Sequence, residues 1–495
     1  MKIEVKSTSA KLSCDLLVII LDEELKISAV EDPQLQNLLE SLSKSFEDKT
    51  VKKEYFSRWS ESGVKHVLVF HTALNSSYNV WERIKIYASR AISWGNDFNL
   101  KEVAFLLNGS DAATYFGKVV EGIVLGSYAF EKYKLEKNKY LEASRVSLLC
   151  SSTALSLCRE KFERYALVSN AVNECREIVN EPGCAVYPEI MGNIAQRIGK
   201  QQGLKVTVLD EKALQKGGYT GLTSVGQGSV HPPRLISLEY KSRKNSDVQL
   251  ALVGKGITFD TGGISIKPSE KMLEMKGDMA GGAAVLYAMK AIAQLKPKIN
   301  VVGIIPSAEN SPDANAQRPG DIFTARNGKS VQVDNTDAEG RLVLIDGFAR
   351  AGELKATHIV DIATLTGAVV RALGQGYAGI MGNDQSLIDA VIHSGTNHGE
   401  NFWQLPLPEE YKELLKTPYA DLNNVGGPHG GAITAGLFLQ EFIPEKTAWA
   451  HLDIAGPFIF DKPWKYYAAG ATGFGVKTFV DLCERFGEYF PRKQK

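Results

Sequence analysis

The stretch Asn335–Arg341, which reads NTDAEGR, follows the alternating run Ser330–Val333 after one residue, and that run predicts a β-strand. Asp337 and Glu339 stand two residues apart, and side chains at that spacing point the same way on an extended segment. Both carboxylates can then reach one cation, or one pair of cations, where a strand ends. An isolated pair of this kind is more often a solvated loop. Other stretches of the sequence are needed to distinguish a cation-binding pair from a solvated loop.

A second polar stretch lies upstream at Gly254–Gly263, which reads GKGITFDTGG. It begins where the apolar run Val248–Val253 ends, and loops at the carboxyl ends of strands collect ligands in open α/β sheets. Taken singly, Lys255 and Lys267 are solvated lysines, and Asp278 is a helix cap. A phosphate-binding loop is disfavoured because the spacing matches neither Walker A nor GxGxxG. Carboxylates and lysines concentrated at two strand ends favour a site that binds cations and offers positive charge to a reacting group.

The histidines limit which metal such a site can hold. None of the eight lies between Lys255 and Arg341, which excludes a histidine-rich zinc site from this segment. His231, beside two prolines, and His429, in a glycine-rich loop, are interpreted as loop histidines. An all-oxygen site with one amine ligand at most favours Mn²⁺ or Mg²⁺, and Zn²⁺ with less preference.

Length and patterning predict the fold class. A chain of 495 residues is too long for one ordinary core, so we expect two domains. Apolar runs alternate with amphipathic segments, which predicts two α/β domains. We assign residues 1–150 to a smaller, variable amino-terminal α/β domain, 151–180 to a connecting helix, and 181–495 to a larger catalytic domain with a mixed, largely parallel central sheet flanked by helices.

The apolar runs also predict individual elements. The predicted strands are Asp15–Leu21, His66–His71, Val103–Leu107, Val146–Cys150, Lys205–Leu209, Leu235–Tyr240, Val248–Val253, Asn300–Ile305 and His358–Ile362. The predicted helices include Trp81–Ser93, Tyr115–Tyr133, Ala280–Leu295 and Leu342–Gly352.

Composition bears on partners and on the cellular compartment. Lys plus Arg and Asp plus Glu both total 57, so the zero formal charge gives no overall support for nucleic-acid binding, although a local basic patch stays open. Six scattered cysteines without a CxxC pair argue against a disulfide framework and favour the cytoplasm. The apolar run Leu16–Leu21 is too short for a signal core, and no run approaches the length of a membrane-spanning helix.

At this point the motifs resemble those of the leucyl aminopeptidases, the cytosol aminopeptidase or M17 family of metallopeptidases. The familial stretches are NTDAEGR at Asn335–Arg341, VGKGITFDTGG at Val253–Gly263, ISIKPS at Ile264–Ser269, MKGDMAGG at Met275–Gly282, ADLN at Ala420–Asn423 and WAHLDIAGP at Trp449–Pro457. The resemblance covers roughly residues 175 to 480, and the amino-terminal part matches only in general pattern. Cys184 stands where the family usually has asparagine, which concerns a local loop outside the metal motifs.

The resemblance implies a cytosolic aminopeptidase that prefers Leu and other apolar first residues and acts by two-metal-activated attack of water. It implies two divalent ions per subunit, Mn²⁺ or Zn²⁺ with Mg²⁺ as a further candidate. Asp260 and Glu339 would be shared by both ions, Asp337 would complete one site, and Lys255 and Asp278 would complete the other.

The resemblance also assigns roles around the metals. Lys267 would hold the scissile carbonyl oxygen, Arg341 would hold a bicarbonate that relays protons, and the carbonyl of Leu365 would receive the leaving amine. The pocket for the first side chain would be lined by Met275, Asn335 and Thr364.

Family analogy further implies a homohexamer, and some bacterial members bind DNA, so nucleic-acid binding stays open as a second role. A two-metal phosphoesterase is a third hypothesis, which leaves the intact peptidase motifs unexplained.

Overall fold

We describe the fold from a computed structural model. It describes residues 1–8, 13–21, 55–58, 63–71, 78–107, 112–137, 144–243 and 248–491, with isolated positions between 33 and 45. The chain divides into two compact units. One comprises Met1–Asn170 and Lys462–Ala468, and the other comprises Ala171–Asp461 and Ala469–Lys495. The dividing point falls inside the long helix Leu155–Asn180, which contributes to both units.

The first unit is built on a six-stranded sheet. Its strands are β1 (Lys2–Ser7), β2 (Cys14–Leu21), β3 (Tyr55–Arg58), β4 (Val64–His71), β5 (Glu102–Leu107) and β6 (Arg145–Cys150). Their order is β1-β6-β5-β2-β4-β3, and every neighbouring pair is parallel except β3 and β4. Strand β2 is buried almost throughout, as expected of an apolar strand inside a parallel sheet.

Two helices of the first unit lie at Val80–Asp97 and Ala112–Gly126. The prediction that the second helix runs to Tyr133 is wrong. It ends at Gly126, and the next residue is Ser127, whose side chain donates a hydrogen bond to the carbonyl of Val124. Glycine and serine both favour helix ends over helix interiors, although the apolar pattern continues past them.

The second unit holds a nine-stranded sheet, whose strands are β7 (Lys205–Leu209), β8 (Arg234–Tyr240), β9 (Gln249–Gly254), β10 (Gly256–Asp260), β11 (Asn300–Asn310), β14 (His358–Ala363), β15 (Ala378–Gly382), β16 (Phe402–Gln404) and β18 (Ala448–Asp453). Their order is β16-β15-β18-β14-β9-β11-β8-β7, with β10 also paired to β11. Strands β10, β11, β9, β14 and β18 pair in parallel, whereas β8 and β15 run antiparallel to their inner neighbours. The α/β class with a mixed, largely parallel sheet is thereby confirmed.

Smaller sheets and helices complete the second unit. The short strands are β12 (Ile322–Thr324), β13 (Ser330–Gln332), β17 (Leu422–Asn423), β19 (Ile459–Phe460) and β20 (Gly470–Ala471). The helices are Pro188–Gln202, Glu211–Gly217, Thr220–Gly226, Ala280–Leu295, Glu339–Glu353, Gly367–Leu373, Gln385–Thr396, Gly431–Gln440 and Val476–Tyr489, with 3-10 turns at Met272–Gly277 and Glu409–Leu415.

Five parallel strands of the large sheet bring their carboxyl ends to the same edge. Their last residues are Gly254 (β9), Asp260 (β10), Asn310 (β11), Ala363 (β14) and Asp453 (β18). Strand β11 runs five residues beyond the predicted end at Ile305, which carries Asn310 level with Asp260. This edge is where ligands bind in open α/β sheets.

Candidate metal centre and substrate cavity

Three carboxylates converge at the carboxyl edge of the sheet. One oxygen each from Asp260, Asp337 and Glu339 lies within 4.8 Å of the others. Asp260 and Glu339 are almost fully buried, and Asp337 is partly exposed. The sequence predicted that these side chains share one site, and the structure does bring them together.

The local backbone around Asp337 and Glu339 differs from the prediction. Strand β13 ends at Gln332, Asp337 lies in a turn, and Glu339 is the first residue of the helix Glu339–Glu353. The expectation that the pair shares an extended segment is therefore wrong. Oδ1 of Asn335 accepts a hydrogen bond from the N–H of Asp337 at 2.9 Å, and an asparagine that bonds the backbone two residues on closes a turn.

Lys255, just after β9, forms the second half of the cluster. Its Nζ lies 2.8 Å from Asp278 Oδ1 and from Glu339 Oε1, and it donates to the carbonyl of Thr364 at 3.0 Å. Gly340 permits this close approach, because a Cβ at that position would stand 2.7 Å from Nζ of Lys255 and would require the lysine side chain to shift. Lys255 therefore packs directly against the start of the helix that supplies Glu339.

Asp278 faces this cluster and does not act as the helix cap considered from the sequence. The helix Ala280–Leu295 has Met279 at its N-cap and no side-chain capping bond. The Asp278 carboxylate instead accepts a hydrogen bond from Thr364 Oγ1 at 2.7 Å. Thr364 thus supports a proposed metal ligand as well as lining the cavity.

Lys267 lies on the other side of the cluster. Its Nζ is 2.8 Å from Asp260 Oδ2 and forms a shorter ion pair with Asp337 Oδ1. The two lysines therefore form ion pairs with different carboxylates: Lys255 pairs with Asp278, and Lys267 pairs with Asp337.

Burial and the neighbouring charges raise the pKa values of the aspartates and of both lysines, for different reasons. Burial raises the pKa of Asp260 and of Asp278, and the charge of Glu339 raises both further. Burial also raises the pKa of Asp337. For Lys255 and Lys267, burial alone would lower the pKa, but the surrounding carboxylates outweigh it and hold both pKa values above the ordinary lysine value.

The donor set fits divalent cations. Three carboxylate oxygens of the cluster are buried and accept no hydrogen bond of normal geometry from the described residues, namely Asp278 Oδ2, Asp337 Oδ1 and Glu339 Oε1. Each of them lies within ion-pair distance of a lysine. Buried carboxylate oxygens of this kind are the ligands that hard cations prefer. Lys255 could join them only as a neutral amine, which a neighbouring cation favours by lowering the pKa of the amine.

A cavity of about 530 Å³ opens onto the cluster. It is lined by all but two of the predicted site residues, namely by Lys255, Asp260, Lys267, Met275, Asp278, Asp337, Glu339, Thr364 and Leu365. Its outer wall adds Lys271, Met272, Val370, Arg371, Phe458 and Ile459. The space suffices for a side chain and a peptide group beside the carboxylates.

Arg341 and Asn335 are the two predicted residues outside this lining. Arg341 is buried and donates from Nη1 to the carbonyl of Asn424 at 2.6 Å, and among the described residues its Nε has no hydrogen-bond partner. Burial lowers the pKa of Arg341 to about 10, which leaves it charged at neutral pH.

Sequence reasoning missed Asn424, which holds the turn before Asp337. Its Oδ1 accepts from the backbone N–H of Asp334 at 2.8 Å, and its Nδ2 donates to the carbonyl of Asn335 at 2.7 Å. The parallel pairing of β13 with β17 brings it there. It directly follows the familial stretch Ala420–Asn423, which was the available signal.

Sequence reasoning also missed Asp453, the last residue of β18. Its Oδ1 accepts from the N–H of Leu365 at 3.1 Å and of Ala455 at 3.3 Å, and its Oδ2 accepts from Thr366 Oγ1 at 2.7 Å. Those three residues line the cavity. Asp453 therefore ties together two loops of the cavity wall, and its position within Trp449–Pro457 was the available signal.

One further observation concerns membranes. Across the described ranges, the helices are all too short or too polar to cross a bilayer.

Comparisons with known proteins find similar sequences and similar solved structures. A family model described as the catalytic domain of the cytosol aminopeptidase family matches residues 173–480. A probable cytosol aminopeptidase of Persephonella marina is 44% identical over 363 residues, which cover 73% of this chain and 73% of that protein. One of Solibacter usitatus is 46% identical over 392 residues, which cover 78% and 80%. Among solved structures, the bottromycin maturation enzyme BotP in complex with Mn is similar with a TM-score of 0.82 and 30% identity, over 96% of this chain and 100% of that one.

Proposed function

The chain belongs to the cytosol aminopeptidase family of metallo-exopeptidases, and on this premise we propose that it releases Leu and other apolar residues from the amino termini of peptides by two-metal-activated attack of water. The observation that carries the proposal is the convergence of Asp260, Asp337 and Glu339 at one end of a cavity, with Lys255 and Asp278 beside them. A free amino terminus is a metal ligand in its own right, which suits removal of the first residue only.

The proposed metal ligands divide into two sets that share two members. Asp260 and Glu339 would serve both ions, Asp337 would complete the first set, and Lys255 with Asp278 would complete the second. We propose Mn²⁺ or Zn²⁺, with Mg²⁺ as a further candidate, and the similar structure of BotP is a complex with Mn. When bound, such a pair of cations polarises a peptide carbonyl and makes water nucleophilic at neutral pH.

The residues of the chain then orient the substrate and balance its charge. In the metal-free chain burial alone would lower the pKa of Lys267, but the carboxylates around it raise the pKa overall, and we propose that this side chain stays protonated when the metals are bound. Its ammonium can therefore stabilise the oxygen on which negative charge develops. We propose that the carbonyl of Leu365, which lines the same cavity, receives the leaving amine.

Two residues of the cavity wall suit the pocket for the first side chain. Met275 offers an apolar, adaptable side chain, and Thr364 stands at the carboxylate end. We propose that Asn335 affects substrate binding only indirectly, because its side chain accepts a hydrogen bond from the N–H of Asp337.

We propose that Arg341 holds a bicarbonate that relays protons. The buried Nε finds no hydrogen-bond partner in the part of the chain that the structure describes, which supports this assignment, since a buried guanidinium N–H is costly to leave unpaired. The carbonyl of Asn424, which accepts from Nη1, would fix the orientation of the guanidinium.

Hydrolysis of leucine-p-nitroanilide after loading with Mn²⁺ or Zn²⁺ tests the proposal. We expect turnover by the wild-type chain and its loss in Asp337→Ala, which lacks one proposed ligand. Absence of amidase activity in the metal-loaded protein, or full activity in Asp337→Ala, would refute the proposal. A parallel assay with a phosphate ester separates a peptidase from a two-metal phosphoesterase.

We also propose a cytoplasmic location, which the names of the relatives support. A homohexamer is proposed by family analogy alone, and light scattering tests it. A DNA-binding role gains no support from the balanced charge of 57 basic and 57 acidic residues. A gel shift with steep salt dependence would restore it.

A further inference from the structure

Asn310 links the two stretches of chain that supply the carboxylate ligands. It is the last residue of β11, lies opposite Asp260 in the pairing of β10 with β11, and is only 4% exposed. Its Nδ2 donates to Asp260 Oδ1 at 2.8 Å and to the carbonyl of Thr336 at 3.0 Å. Thr336 directly precedes Asp337, so one amide group bridges the upstream and downstream halves of the site.

Both contacts of the Asn310 side chain require a hydrogen-bond donor, which its amide nitrogen supplies. The two partners of Nδ2 are a carboxylate oxygen and a carbonyl oxygen, which only accept hydrogen bonds. An aspartate at 310 has the same shape but would place a third acceptor against these two. Position 310 therefore requires a side chain with two N–H donors. Packing alone would not require such donors.

Asn310 also determines which oxygen Asp260 can offer. Oδ1 of Asp260 accepts from Asn310 Nδ2 and from the N–H of Gly262 at 2.9 Å. Oδ2 of Asp260 points the other way, towards Nζ of Lys267 at 2.8 Å. The amide of Asn310 thereby holds the carboxylate in the rotation that leaves Oδ2 facing the cluster.

The backbone of Asn310 strengthens the same link. Its carbonyl accepts from the N–H of Thr261 at 3.0 Å and from Thr261 Oγ1 at 2.8 Å. Gly263 packs so closely that a Cβ there would stand 2.7 Å from Asn310 Oδ1. The amide is thus fixed on both sides and has little freedom to rotate.

We infer that Asn310 is a positioning residue that sets the spacing and orientation of Asp260 relative to Asp337, so that losing its amide weakens the binding of divalent cations. The inference rests on the proposed function in so far as this cluster binds metal. Partners that orient metal ligands typically contribute tenfold to a hundredfold in metal affinity.

The test measures binding of Mn²⁺ itself, by isothermal titration calorimetry on the full chain after treatment with a chelator. We expect Asn310→Asp to raise the Mn²⁺ dissociation constant at least tenfold. Asn310→Ala, which leaves room for water in place of the amide, provides a second variant if Asn310→Asp does not fold.

Asn383→Asp is the control. The Asn383 amide also makes two hydrogen bonds, donating to the carbonyl of Thr447 at 3.1 Å and accepting from the N–H of Trp449 at 2.7 Å, but Asn383 is exposed and both partners are backbone groups. We expect this control to lower the melting temperature of the metal-free protein without changing Mn²⁺ affinity.

Unchanged Mn²⁺ affinity in a folded Asn310 variant would overturn the inference. An equal loss of affinity in Asn383→Asp would overturn it too, because the effect would then reflect general destabilisation. A wild-type chain that binds no Mn²⁺ or Zn²⁺ would contradict the proposed function, which distinguishes the two failures.

Discussion

Nζ of Lys255 lies 2.8 Å from Oε1 of Glu339, so a lysine from the end of β9 meets a carboxylate from the first residue of a helix more than eighty positions later. Both groups are almost completely buried. In the metal-free chain the ammonium compensates carboxylates that would otherwise repel one another. Bound cations would then balance the charge of these carboxylates in place of the ammonium, because we propose that Lys255 binds metal as a neutral amine.

Lys255→Met should destabilise the metal-free protein. Removing one member of a buried ion pair leaves uncompensated charge and costs about 3–5 kcal/mol. Chemical unfolding after chelator treatment measures the loss at neutral pH. Lys271→Met is the control, since Lys271 is mostly exposed and pairs with Asp461 only at 3.7 Å. Equal stability of the two variants would contradict the expected role of Lys255.

Lys267→Met should lower kcat by about a hundredfold to a thousandfold, because removing a donor aimed at developing negative charge has that effect in other enzymes. Bound Mn²⁺, measured by metal analysis, should stay at the wild-type level, since Lys267 is not among the proposed ligands. Lys271→Met again serves as the control, as it lines the same cavity. A variant at 267 with wild-type kcat would exclude the proposed contact with the carbonyl oxygen.

The strands that carry the site could be predicted from sequence because each is a buried apolar run. The predicted run Val248–Val253 corresponds to β9, and His358–Ile362 corresponds to β14. Motif resemblance then marked the ligands on the loops that follow. The turn at Asp337 could not be predicted from alternation alone, because the side chain of Asn335 closes it.

The roles of the supporting residues could not be predicted for a different reason, although two of them lie in or beside familial motifs. Asn310, Asn424 and Asp453 act mainly through hydrogen bonds to backbone groups of distant segments. No periodicity or spacing records such a partnership. It follows only from the strand order that sets β10 beside β11, β13 beside β17 and β14 beside β18.

Asp453→Asn should reduce kcat/KM for leucine-p-nitroanilide by about tenfold to a hundredfold, because a displacement of about 1 Å in a substrate-positioning group can cost that much. The change weakens the bonds that hold Leu365 and Ala455 in the cavity wall. Asp361→Asn is the matched control: Asp361 is equally buried on neighbouring β14 but bonds Trp449 and His451. Equal kinetic losses in both variants would indicate a structural effect only.

Asp346 should make stability depend on pH. Burial raises its pKa to about 8, whereas its ordinary value is 3.8. Between about pH 4 and pH 8 the folded chain keeps a proton that the unfolded chain has released, so the contribution of Asp346 to stability falls as pH rises, by about 1.4 kcal/mol per pH unit. Unfolding of chelator-treated wild type and Asp346→Asn from pH 5 to pH 8 measures the difference. A difference that stays constant across this range would contradict the shift.

Arg341→Ala should slow hydrolysis while leaving Mn²⁺ content unchanged. The guanidinium remains charged near neutral pH, since burial lowers its pKa only to about 10, and no described residue forms a hydrogen bond with its Nε. If this group holds bicarbonate, adding bicarbonate to a bicarbonate-free assay should accelerate the wild type and leave Arg341→Ala unaffected. Arg371→Ala is the control, because Arg371 is an exposed arginine that lines the same cavity and should retain the bicarbonate response. Acceleration of Arg341→Ala by bicarbonate to the wild-type extent would place the proton relay elsewhere.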